Sequence, residues 1–317
     1  MGLVNKLNQP GNNQYTAHKS RNVCCPDIAI LKVLKSDVIS FSSRNKETNE
    51  QDVYKKVNSL AEKYFQKLKQ DLQAGLDYLK QIIPSLQVSF EALKSGAGGL
   101  AEIIPGDKNS VAYKMTINTD TNDPFGAVLH EGYHLIQFDN LDNAEFVKIR
   151  KLIARNEPAI SKFKEKYEAL TSIVVGDIVL PVFSKTMEKV VKDIQKAMNS
   201  GDQRKINDIL DGKVLSDNHN LLPGSLKEWF RSLPDTRSIE YIRSHAIIEI
   251  EAHSFCLEKD PTPVIYNRND INRNKLRDFI AIKIYKELSN LASEELESRK
   301  NSQNTPQFMG FAREKTG

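Results

Sequence analysis

Apolar residues recur at threes and fours along most of this chain, and only two short segments read as strand. That periodicity is the signature of amphipathic helices, so it restricts the fold to a mainly helical one with a minor sheet. Between Asp52 and Ile83 the residues Val53, Val57, Leu60, Ala61, Tyr64, Leu68, Leu72, Leu76 and Leu79 mark one helical stripe that Pro84 ends. Further helices are expected from Pro124 to about Phe138, over Asn143–Ala154, Pro158–Leu170, Phe183–Met198, Lys205–Leu210, Ser225–Ser232 and Thr236–Leu257, with a last one over Asp270–Arg299. Ile173–Pro181 reads as an apolar bend between two of them, and Ser42–Gln51 as a polar loop. The strand candidates are Ile28–Ile39 and Ser110–Asn118. In the second, Val111, Tyr113, Met115 and Ile117 fall on one side, as in a half-buried strand. Asp123 can cap the helix that follows, and Pro124 suits its first position. The expected fold class is therefore α+β, mostly helical.

Composition narrows the setting. With 39% hydrophobic and 27% charged residues the chain can build a core, and no stretch approaches the roughly 18 apolar residues a bilayer span needs. A net charge of +4, spread along helices among acidic residues, gives no basic stripe, so no specific nucleic acid is expected as a partner. Three cysteines, two of them the adjacent Cys24 and Cys25, make no disulfide framework and point to a reducing compartment. Residues 1–25 lack the apolar region of a secretory signal, and Lys6 stands where a myristoylation signal wants Ser or Thr. They read as a flexible leader, residues 26–300 as the folded domain, and 301–317 as a flexible tail.

The residues that carry chemistry lie in Ala127-Val128-Leu129-His130-Glu131-Gly132-Tyr133-His134-Leu135-Ile136. Histidines at i and i+4 share one helical face and can reach one tetrahedral zinc, while Glu131 is placed to take a proton from metal-bound water. A bare HExxH arises by chance in roughly one in a hundred chains of this length, so the setting carries the argument. Here the polar trio sits among apolar neighbours, where polar groups are costly unless satisfied. The competing reading is a helical His/Glu face with no metal.

This segment resembles the zincin metallopeptidases, defined by HExxH on an active-site helix, and Ser110–Asn118 resembles the edge strand along which that family binds extended substrate. The resemblance covers about Val111–Phe138. It implies a zincin-like domain, Zn2+ as cofactor, His130 and His134 as metal ligands, Glu131 as the catalytic base and a protein or peptide substrate. The HExxHxxGxxH extension is absent, since Gln137 and Asn140 stand at its Gly and His positions. What remains is the gluzincin arrangement, with a glutamate on a later helix. Ile248-Glu249-Ile250-Glu251-Ala252-His253 resembles the Glu-Ala element of that helix, and the match makes Glu251 the third ligand. Glu249, flanked at i−4 and i+4 by His245 and His253, is a rival, as is Glu157. On one helix Glu249 and Glu251 lie about 200° apart, so one of them at most faces the histidine pair. The long separation of His134 from Glu251 implies a helical insertion at about 142–233. Tyr241, Arg243 and Tyr266 are candidates to stabilise an oxyanion, and Trp229 reads as a packing residue.

The expected function is zinc-dependent hydrolysis of peptide bonds. The polar ends and low cysteine content are similar to those of bacterial effector proteases acting in a host cell, which makes the expected location the cytoplasm or, without a Sec signal, a host cell. The alternative from another class is a non-catalytic helical interaction protein whose HExxH is coincidental or a relic.

Overall fold

The computed structural model describes residues 47–93, 97–105, 110–140, 172–213, 221–267 and 270–304, with Leu215 and scattered helical positions between 147 and 170. The leader, the strand expected at Ile28–Ile39, Glu157 and most of the helices expected at Asn143–Leu170 lie outside the described residues. Among the described residues 74% are helical, and with a small three-stranded mixed sheet they make an α+β fold. No helix among the described residues is long and apolar enough to cross a membrane.

The first helical stripe is two helices, α1 (Glu47–Gln70) and α2 (Leu72–Ile82). Asp71 breaks them apart. Its backbone is extended and its carboxylate accepts the Gln73 N–H at 3.2 Å, so an apparently continuous stripe is cut by a helix cap. Helix α1 also starts earlier than the sequence suggests, taking in Glu47–Gln51 from the expected loop.

The sheet contains β1 (Leu86–Glu91), β2 (Gly99–Pro105) and β3 (Val111–Asn118), in the order β1-β3-β2. Strand β3 runs parallel to β1 and antiparallel to β2. This corrects the reading of Ser110–Asn118 as an edge strand: both of its edges are paired, so no peptide can add to it. Its burial agrees with a central position. Tyr113, Met115 and Ile117 are buried on one face, Thr116 is buried on the other, and Thr116 and Ser89 share a hydroxyl hydrogen bond of 3.2 Å. The edges β1 and β2 were not legible as strands because they are half-exposed and do not alternate cleanly.

Helix α3 (Pro124–Asn140) follows, started as expected by Asp123, whose Oδ1 accepts the Gly126 N–H at 2.9 Å. The expected bend Ile173–Pro181 is instead a π-helical stretch, Ile173–Val179, running directly into α4 (Leu180–Ser200). There the Leu180 N–H reaches back to the Val175 carbonyl. The widened turn sits just ahead of Pro181, whose ring would crowd an ordinary α-helical turn. Next come α5 (Gln203–Leu210), α6 (Ser225–Ser232), α7 (Thr236–Lys259), the small antiparallel pair β4 (Ile265–Asn267) and β5 (Asp270–Ile271), and α8 (Arg273–Asn304). Asp270 and Ile271 are thus strand rather than helix, and helix continues past Asn301 into the expected tail.

Two apolar clusters form the core. One joins α1, α2, the sheet and α3 to Ala252, Phe255 and Cys256 near the end of α7. The other joins the π-helical stretch, α4, α6 and α8 to Ile239, Ile242, Ala246 and Ile250 of α7. Helix α7 therefore threads both clusters, which is why it is apolar nearly all round. Trp229 packs against the second cluster, with its ring 5.3 Å from that of Phe230, as a packing residue would.

Candidate metal centre

Helix α3 is buried on almost every side, and its polar groups meet α7. One turn apart, His130 and His134 bring their Nε2 atoms to 3.0 Å, with the rings nearly perpendicular at 88°. From α7 the Glu249 carboxylate faces both: Oε2 lies 3.4 Å from His130 Nε2 and Oε1 lies 3.5 Å from His134 Nε2. One turn to either side of Glu249 on the same helix, His245 and His253 place Nε2 at 3.6 Å from Oε1 and from Oε2, respectively. Four imidazoles thus surround one carboxylate, two from each helix.

The outer ring nitrogens are held too. His134 Nδ1 is 2.9 Å from Gln137 Oε1, and the Gln137 amide then donates to Glu251 Oε2 at 2.6 Å. His253 Nδ1 is 2.8 Å from Asp278 Oδ1 on α8. Such outward hydrogen bonds fix the ring orientation and leave Nε2 for the centre. His245 Nε2 is buried with no hydrogen-bond partner.

The helix rotation differs from the one the sequence match implies. Glu249, not Glu251, turns to the histidine pair, and Glu251 lies against Gln137 on the other side. The signal for Glu249 was present in the sequence: His245 and His253 continue its polar stripe along a helix that is otherwise apolar. Asp278 carried no such signal, because its partner comes from a different helix.

Glu131 is 8% exposed and takes a hydrogen bond from the Ala101 N–H of β2. Gly99 of β2 gives it room, since a Cβ there would come within 2.6 Å of Glu131 Cγ. Of the oxyanion candidates, Tyr266 is exposed, Tyr241 packs its ring 4.8 Å from that of Tyr167, and Arg243 Nε is buried without a hydrogen-bond partner.

Charge is unevenly distributed over this cluster. Burial works against the charged form of Glu249, but His134 and His130 outweigh it and hold the carboxyl well below its usual range. Burial likewise opposes a proton on His134, and Glu249 overcomes that, raising the imidazole to about 9. His130 and His245 are lowered, chiefly by burial. Burial raises Glu131, with His130 and His134 partly opposing it. Burial also raises Glu251 to about 7, against the Gln137 hydrogen bond.

These donors fit a metal ion. A tetrahedral zinc with bonds of about 2.0–2.1 Å sets its ligand atoms roughly 3.3 Å apart. His130 Nε2 and His134 Nε2 lie 3.0 Å apart, and each faces a different Glu249 oxygen, Oε2 at 3.4 Å and Oε1 at 3.5 Å, so the carboxylate could be shared by an ion between them. The ligand atoms of His130, Glu249 and His253 also form a group in which all lie within 4.8 Å of one another, able to hold a metal ion. Compared with protein families, with curated proteins and with solved structures, the chain finds no match in any of the three.

Proposed function

We propose that the chain is a zinc-dependent peptidase in which His130, His134 and Glu249 hold the ion and Glu131 is the general base. The observation that carries this reading is the convergence of both HExxH imidazoles, 3.0 Å apart, on one largely buried carboxylate from α7, within 3.5 Å of its two oxygens. Two imidazoles and a carboxylate are a usual donor set for catalytic zinc, which supplies Lewis acidity and acidifies a bound water. The resemblance of the HExxH segment to zincins supports the same assignment.

The chain's own residues supply the rest. Glu131 follows His130 in the motif, where it would take a proton from water and pass it to the leaving amine. Burial favours its proton-bound form, which suits a group that must hold a proton between the two steps. The Ala101 N–H aims its carboxylate. Because that N–H points to Glu131 rather than to β3, Glu131 sits at the outer edge of β2. No strand among the described residues pairs with this edge. A peptide laid along β2 by backbone hydrogen bonding would bring its carbonyl to Glu131.

Zinc titration of Glu249→Ala and Glu251→Ala, with circular dichroism to confirm folding, tests the ligand set. Glu249→Ala is expected to lose most zinc affinity and Glu251→Ala to keep it. Glu131→Gln is expected to keep the metal and lose peptide hydrolysis. Full hydrolysis by Glu131→Gln would sink the assigned mechanism, and zinc retention by Glu249→Ala would sink the ligand set.

A further inference from the structure

We infer that His253 is a fourth protein ligand to the ion, so that the centre is built from three imidazoles and one carboxylate. This deepens the proposed reading and rests on it. The ring lies beside both Glu249 and His130. Its Nε2 is 3.6 Å from Glu249 Oε2, its centroid is 4.5 Å from that of His130, and its donor atom lies within 4.8 Å of those of His130 and Glu249.

Its back is arranged as a ligand's back is. Asp278 reaches across from α8 to Nδ1 at 2.8 Å, and both residues are buried, at 5% and 9% exposure. A carboxylate accepting the Nδ1–H fixes the tautomer whose Nε2 carries a lone pair, and it makes that nitrogen a better electron donor. Arg277 lies 3.5 Å from the same Asp278 oxygen. His245, the other imidazole beside Glu249 on α7, has no such carboxylate behind it in any hydrogen bond described, and its contact to Glu249 is on the opposite oxygen. The two flanking histidines are therefore not equivalent, and Asp278 marks His253 as the ligand.

Catalytic zinc sometimes expands to five positions, which would leave a place for water beside four protein ligands. Helix α7 would then contribute two donors spaced i and i+4, Glu249 and His253, mirroring His130 and His134 on α3. Helix α8, through Asp278, becomes part of the metal centre although it places no atom on the ion.

The experiment reads the metal rather than turnover. X-ray absorption of the full-length zinc-loaded protein counts imidazoles by their outer-shell scattering, and three are expected. Chelator competition gives zinc affinity for His253→Ala, His253→Asn and Asp278→Asn. Each is expected to bind at least tenfold more weakly, in keeping with the 10- to 100-fold effect of lost outer partners for the last of them. Cobalt substituted for zinc should show an altered visible spectrum in both His253 variants and a wild-type-like one, at lower occupancy, in Asp278→Asn. Zinc bound by two imidazoles in the wild type, or unchanged affinity and cobalt spectrum in a folded His253 variant, overturns the role of His253 and leaves the His130, His134 and Glu249 site standing. Absence of zinc binding by the wild type overturns the underlying reading as well. A count of two imidazoles in the wild type overturns the role of His253 even if the variants fail to fold, and the His253 variants distinguish a third imidazole supplied by His253 from one supplied by His245.

Discussion

Gly132, inside the HExxH segment, is where α3 leans on α1, and replacing it with Ala tests how tightly the site helix is seated. A Cβ at that position would stand 2.6 Å from both Cζ and Oη of Tyr64. Tyr64 is fully buried, and its hydroxyl donates to the Val128 carbonyl at 2.8 Å, so the ring has little room to retreat. Overpacking of this kind costs about 2 kcal/mol, within a usual range of about 1–3. A displaced hydroxyl loses a further ~1 kcal/mol. Against this, Ala is favoured over Gly in a helix by about 1 kcal/mol. The net expectation for Gly132→Ala is a loss of about 2 kcal/mol, or a fall in Tm of roughly 3–4 °C for a domain of this size. The assay is thermal unfolding of Gly132→Ala in the wild-type background and in Tyr64→Leu, which trims the opposing ring. In the second background the cost should shrink towards zero, because the two positions are in contact. A Gly132→Ala protein as stable as the wild type, or one that loses the same amount in both backgrounds, would refute the close packing of Gly132 on Tyr64.

Three further outcomes are expected. Gly99→Ala should leave zinc affinity within about twofold while lowering hydrolysis, because the added Cβ meets Glu131 Cγ at 2.6 Å and not a metal-facing imidazole; equal loss of both would place Gly99 elsewhere in the mechanism. Burial keeps the proton on Glu251 in the folded protein up to about 7, well above the usual carboxylate range near 4.5. The folded state therefore binds the extra proton between those values, and stability falls as pH rises through that window, by up to about 3 kcal/mol. Metal-free Glu251→Gln, which keeps an acceptor for Gln137, should lose less stability between pH 5 and pH 8 in urea titrations than the wild type; parallel curves would show that Glu251 is not the titrating group. Finally, Tyr64→Phe should lower stability by about 1 kcal/mol in urea denaturation through the lost bond to the Val128 carbonyl, and no change would mean that water replaces it.

Much of this architecture can be read from the chain because its elements obey local rules. The stripe of α1, the cap and proline that start α3, and the alternation of β3 are set by neighbours within one or two turns. Helix α7 shows where local reading stops. Its place in the middle of the fold was legible from its apolar surface, but that same surface erased the amphipathic phase that would say which glutamate faces α3. The polar stripe of His245, Glu249 and His253 was the remaining cue, and the match to a Glu-Ala element outweighed it. Strands β1 and β2 were illegible for a different reason: edge strands are defined by what they pair with, and Gly99 of β2 serves the fit of Glu131 rather than strand propensity. The break at Asp71 follows a local rule, yet an aspartate in a helical stripe reads equally as a solvent-facing residue. Asp278 shows the hardest case, a buried carboxylate whose meaning comes wholly from another helix.

Because α7 threads both apolar clusters, the candidate metal centre spans two bodies of core, with α3 anchored in one and α8, which carries Asp278, in the other. Thermal opening of either body, even briefly, separates donors that the ion must hold together. An ion bound there resists both openings at once and joins the two clusters into one cooperative unit, as a rivet does for overlapping plates. Without it, each cluster can breathe at its own rate, and the ion's escape follows whichever loosens first.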